Sequence, residues 1–222
     1  MAKNTAVAKK QDLFPQELPE SQVGSNRGNE NVSQEDVARP TIKLLQGLSP
    51  EVKAKNPAYI EGAVEGMLLN SVSGELYDEV YVVNISFTKS FSVWQDRKLG
   101  GQYEGMYSTE AEANAKFEEI GATKETHGIF ETHTHICAMI DPETKKVQPI
   151  QFMMNRSALG PSRAWNTNIA TAGGDRFSSI WKVSGTSMSN SKGDWVTYQT
   201  QFAGYAPEDL HGQLAKMYDA SH

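Results

Sequence analysis

Residues 77–94, YDEVYVVNISFTKSFSVW, decide the class of fold. The run is β-branched and aromatic throughout and carries neither glycine nor proline, which is the composition of one long strand. Alternation puts Tyr81, Val83, Ile85 and Phe87 on one face and Asn84, Ser86, Thr88 and Ser90 on the other. That period of two predicts a sheet with a core side and a polar side left open.

Upstream, Ser73-Gly74 is a turn signal that joins residues 67–70 to this strand. Downstream, residues 95–107 are glycine-rich, and TEAEANAKFEEI, residues 109–120, reads as a helix capped by Thr109, with Glu110 and Glu112 at the positive end of its dipole. Residues 129–140 and 147–154 are two strands of a hairpin turned at Asp141-Pro142-Glu143-Thr144. A helix follows over 157–172, starting at or just before Pro161 and stopped by Gly173-Gly174. Residues 177–188 and 195–205 form a second hairpin with its turn at Lys192-Gly193-Asp194, and a helix over 207–218 closes the chain. From Val80 the order is strand, strand, strand, helix, strand, strand, with an acidic helix inserted after the first strand. The expected class is therefore mainly β (α+β): an OB-like five-stranded Greek-key barrel with inserted and C-terminal helices.

This barrel occupies residues 39–222. Residues 1–38 include QELPESQVGSNRGNENVSQED, too poor in apolar side chains to offset the entropy of ordering, and are expected to form a flexible, disordered N-terminal arm. Folded structure is expected to begin after Arg39-Pro40, where Ile42, Leu44, Leu45 and Leu48 line one side of a short segment ended by Ser49-Pro50.

Composition narrows the function. With 222 residues, 38% hydrophobic and 22% charged, the chain fits one ordinary domain plus an extension and excludes collagen, coiled coil and wholesale disorder. No apolar run approaches the ~18 residues of a membrane span, and Lys9-Lys10 stand where a signal peptide needs apolar residues, so a cytoplasmic protein is expected. The one cysteine, Cys137, permits no intramolecular disulfide. Twenty-one Lys and Arg against 27 Asp and Glu give a net charge of −6, so binding to nucleic acid needs a local basic face.

Three patterns bear on chemistry. In HTHIC, His133, His135 and Cys137 alternate along a strand, as zinc ligands would, but spread over roughly 13 Å, too far to share one ion without a bend. Solvent-facing or ligand-facing histidines are expected instead, and no metal or other cofactor. No G-x-S-x-G elbow, Cys/His nucleophile signature or phosphate loop occurs, so no enzyme is expected.

The third pattern is positive charge interleaved with aromatic residues. Residues 141–205 hold seven cations against four acids, together with Phe152, Trp165, Phe177, Trp181, Trp195 and Tyr198. A cationic groove with aromatic platforms suits unpaired bases. Trp165 and Trp181 are assigned to the core, whereas Trp195 alternates onto a polar face with Thr197, Gln199 and Gln201.

The segments RPTIKLLQGLSPEV, AYIEGAVEGMLLNSVSGELYDEVYVVNISFTKSFSVW, SRAWN and FSSIWKVSGTSMSNSKGDWVTY together resemble tailed-bacteriophage OB-fold single-stranded DNA-binding proteins, over roughly residues 39–205. The resemblance implies a non-catalytic, sequence-independent single-stranded DNA-binding protein that supports phage DNA replication or recombination, with replication or recombination proteins as further partners and no membrane. Many such proteins end in an acidic tail, where this chain has AKMYDASH. The residues nominated for contact with the strand are Trp94, Arg97, Lys98, Arg156, Arg163, Arg176, Lys182, Lys192, Trp195 and Tyr198, with the binding surface centred on residues 177–205. The competing expectation, favoured by the net acidity and the acidic residues 104–131, is a protein–protein interaction or structural protein that binds no nucleic acid.

Overall fold

A computed structural model describes residues 19, 21, 24, 27–32, 36–191 and 193–220. Two units are resolved, Met1–Ala38 and Arg39–His222. The arm expected over residues 1–38 lies largely outside the described residues, as does Lys192.

The second unit is mainly β, with two antiparallel sheets and three helices. The smaller sheet has the order β1-β2-β3, from β1 (Ile42–Leu44), β2 (Leu68–Asn70) and β3 (Leu76–Tyr77). The larger sheet is built on β4 (Glu79–Gln95), the decisive strand of the sequence. Along one side β4 pairs with β6 (His127–Ile140) throughout; along the other it pairs first with β8 (Ser179–Asn190) and then with β5 (Tyr103–Tyr107). Adding β7 (Val147–Asn155) and β9 (Gly193–Tyr205) gives the order β7-β6-β4-β8-β9.

The helices are α1 (Glu110–Glu119), α2 (Leu159–Ala172) and α3 (Glu208–Asp219). Thr109 and Glu112 form the full reciprocal capping box at α1, as the pattern of threonine followed three residues later by glutamate requires. Trp165 and Ile169 of α2 pack into the main core with Val82, Cys137, Phe152 and Trp181. A second core, Val83, Ile85, Ala138, Ile140 and Phe177, lies under Leu214 of α3.

Two sequence expectations change here. A bulge between Asn84 and Ser86 offsets the alternation of β4, and Val82 and Val83 are both fully buried, one in each core. The polar side therefore stays open only beyond the bulge, and Asn84 is buried. The second change concerns closure. Edge strands β7 and β9 do not pair with each other among the described residues, so the sheet does not close into a barrel. Residues 40–46 stand between them: the Gln151 amide of β7 donates to Pro40 O (2.8 Å), and Gln46 Nε2 donates to Val196 O of β9 (3.1 Å). A segment wedged there keeps the two edges from forming a ladder.

Tyr198 secures the wedge. Its hydroxyl accepts from the Leu44 amide (3.1 Å) and donates to Ile42 O (3.2 Å), and burial pushes its pKa up to about 12. Tyr198→Phe strands a buried amide and should cost about 1–2 kcal/mol in urea unfolding; an unchanged midpoint would show that the wedge does not need this bond. Gly185 of β8 lies against the same segment, where an added Cβ would overlap Gly66 O and come within 2.9 Å of Leu44 Cδ1. Gly185→Ala should therefore lower the thermal stability by about 1–3 kcal/mol, and calorimetry of the variant checks it.

Candidate nucleic-acid interface

The glycine-rich residues after β4 build one side of a cleft. Asp96 caps a 3-10 turn over Arg97–Leu99 by accepting from the Lys98 amide (2.8 Å). Gly100 and Gly101 take φ of +124° and +70°, a region favouring glycine, and let the chain return so that the Gln95 amide reaches Gln102 O (2.8 Å) and β5 begins. The Asp96 amide donates to Thr126 O (2.7 Å), which ties this loop to the turn at 123–126 that carries Lys124. At the far side β7 ends at Asn155 and the chain turns through Arg156 into α2.

These segments surround an open cleft of about 870 Å³ whose lining includes Ser92, Trp94, Arg97, Lys98, Lys124, Phe130, Asn155 and Arg156. Four cations face one acid, Asp96, and none of the four is in an ion pair among the described residues. Trp94 is 41% exposed and lies 4.8 Å from the Tyr103 ring, centroid to centroid; Arg156 sits over the Phe130 ring at 5.2 Å. His127 is also on the lining, with Nδ1 bonded to Thr126 Oγ1 (2.9 Å) and Nε2 3.8 Å from Glu104. Positive charge, exposed ring faces and room for an extended chain thus meet in one place.

The other nominated residues are placed elsewhere. Arg163 on α2 and Lys182 on β8 are paired, with Glu131 (3.1 Å) and Glu79 (3.0 Å). Arg176 is spent internally: it donates to Asn84 Oδ1 and Asn166 Oδ1 and lies over the Phe87 ring. Tyr198 is a core residue, because its strand face packs on β1. Trp195 lines a separate notch with Glu65, Asp78 and Asp194, a negative surface that repels phosphate. Of the two cations in residues 177–205, Lys182 is paired with Glu79 and Lys192 lies outside the described residues, whereas four cations in no ion pair among the described residues gather at the end of β4. Trp165 and Trp181 are buried, as assigned.

His133 and His135 are buried rather than facing solvent or ligand. Arg176 Nε donates to Asn84 Oδ1 (2.7 Å), which orients the Asn84 amide nitrogen toward His135 Nδ1 (2.8 Å). An amide nitrogen only donates, so His135 carries its proton on Nε2 and gives it to Ser162 Oγ (2.7 Å). Ser162 then donates to His133 Nδ1 (2.7 Å), and His133 Nε2 donates to Glu131 Oε1 (2.8 Å). This bond, followed by the nearby Arg163 and Lys89 charges, holds the Glu131 carboxyl below its usual range. Serine, histidine and glutamate in series suggest a hydrolase, yet Ser162 is fully buried, its proton given to His133 and its oxygen accepting from His135. Burial also pushes the Cys137 thiol up, away from the reactive thiolate. Among the described residues no group of three or more His, Cys, Asp or Glu side chains is disposed to hold a metal.

Of the residues nominated from the sequence, Trp94, Arg97, Lys98 and Arg156 line the cleft; Lys124 and Phe130 line it too and were not nominated. Lys124 was hidden inside the acidic residues 104–131, and the pairing of Gln95 with His127, continued by the bond from Asp96 to Thr126, brings it across.

Against known families, the Pam3 phage gp34-like protein model matches residues 8–222. The chain belongs to this family. It is thereby a bacteriophage protein, as the sequence resemblance implied. No curated protein and no solved structure matches it. No helix among the described residues is long and apolar enough to cross a membrane.

Proposed function

We propose that the chain is a non-catalytic protein that binds single-stranded DNA without sequence preference and serves phage DNA replication or recombination in the host cytoplasm. The observation that carries this reading is the cleft: Arg97, Lys98, Lys124 and Arg156, in no ion pair among the described residues, beside the exposed Trp94 and its ring neighbour Tyr103. Lysine and arginine neutralise phosphates irrespective of sequence, and ring faces stack any unpaired base.

The strand connectivity supports the same reading. Numbered by sequence, the five long strands β4, β6, β7, β8 and β9 lie in the order 3-2-1-4-5 with α2 between the third and fourth. We read this as an OB-like Greek-key arrangement, with residues 40–46 standing where the third and fifth strands would meet. In such a fold the cleft at the end of the first and second strands is a natural seat for an oligonucleotide.

Filter retention of a labelled single strand, challenged with unlabelled single strand or duplex of the same sequence, tests the reading. The single strand should compete at least tenfold better than the duplex, because a duplex hides its base faces. Failure to retain the labelled strand would leave the interaction-protein alternative, and equal competition would make the site a reader of phosphate alone.

A further inference from the structure

Arg156 has φ of +50°, a left-handed backbone that non-glycine residues seldom adopt. At this position the sheet ends at Asn155 and α2 is about to begin, so a glycine would serve the turn without strain. Among the described residues the side chain pairs with no acid; its guanidinium lies over the Phe130 ring, 5.2 Å from the centroid, and both residues line the cleft. The guanidinium carbon is thus within cation–π reach of an aromatic ring, while the residue is exposed to solvent.

We propose that Arg156 and Phe130 together form a preassembled stacking platform for one unpaired base. The ring holds the guanidinium flat, a base lies on its outer face, and the in-plane N–H groups reach the phosphate of the same nucleotide. Planar guanidinium groups stack on bases in this way, and lysine, a point charge on a flexible stem, does not. The inference rests on the single-strand reading above and adds to it a specific base-recognising pair distinct from Trp94 and Tyr103.

The test uses the full chain and two probes of equal length and charge, an oligothymidylate and the corresponding abasic strand. Arg156→Lys should bind oligothymidylate roughly 5- to 150-fold more weakly than the wild type, the range of one lost stacking contact. Its affinity for the abasic strand and its salt slope should hardly change, because the charge remains. Arg156→Gly should lose about 0.7 of a unit of salt slope in addition while its thermal midpoint stays level or rises, since the strained φ is relieved. Phe130→Leu should reproduce the loss on oligothymidylate alone. If Arg156→Lys binds both strands as the wild type does, the platform is refuted while salt-sensitive binding still stands. If the wild type binds neither strand, the underlying reading fails first and takes the platform with it.

Discussion

Replacing Arg97, Lys98 and Lys124 together by alanine should weaken single-stranded DNA binding on the order of a hundredfold at about 0.1 M salt, with the fold unchanged. The three side chains are exposed, make no ion pair among the described residues and contribute nothing to either core. Each phosphate contact on a single strand releases about 0.7 of a counterion, so three contacts remove about two units from the slope of log affinity against log salt. Titrations of the triple variant at several salt concentrations measure that slope directly. The matching triple change Lys182, Arg163 and Arg176 to alanine should behave differently: it breaks ion pairs and a partly buried hydrogen bond and so should lower stability before it lowers affinity. If the second set weakens binding with unaltered stability and the first does not, the strand runs over another surface.

The second large effect concerns acid. Burial, then the charges of Arg176 and His133, drive the pKa of His135 down to about 3 from 6.5. In the folded protein this imidazole stays neutral to low pH, whereas in the unfolded chain it takes a proton below 6.5. The unfolded state then binds more protons, so stability falls as the pH drops from 6.5 toward 3, by about 1.4 kcal/mol per unit at most. The accumulated loss is roughly 4–5 kcal/mol, a large part of the stability of an ordinary domain. Glu131, whose carboxyl is held low by His133, adds to the decline over the acid end of the same range. His135→Gln offers an amide oxygen to Asn84 and an amide hydrogen to Ser162, so it keeps the hydrogen bonds and removes the titration. Urea midpoints of both proteins between pH 7 and pH 4 should converge as the pH falls, the variant losing stability less steeply. Parallel curves would show that His135 is not the group that charges.

The reach of the sequence differs between the fold and the site. Period-two alternation and turn residues were enough to place the long strands, and Thr109 with Glu112 to place α1, because these signals are local. The bulge at Asn84–Ser86 has no local signal: it arises where β4 must follow two neighbours, and it changes which side of β4 meets the core. Nor could the wedge of residues 40–46 be read from the sequence, since its bonds to Gln151 and Val196 join segments more than a hundred residues apart. For the site, counting cations along the chain favoured residues 141–205, but three of those cations are spent on internal partners, Glu79, Glu131 and Asn84. Charge that is free to bind is fixed by tertiary pairing, which linear composition does not record.

The proposed function requires that the cleft at the end of β4 bind an unpaired strand through phosphate neutralisation. Fluorescence anisotropy of a labelled oligothymidylate, titrated with the unaltered protein at about 50 and about 200 mM salt, tests it most directly. With about four cations engaged, saturable binding at micromolar protein should appear at the lower salt and weaken roughly fiftyfold at the higher. No anisotropy change at micromolar protein, or an affinity indifferent to salt, would contradict it.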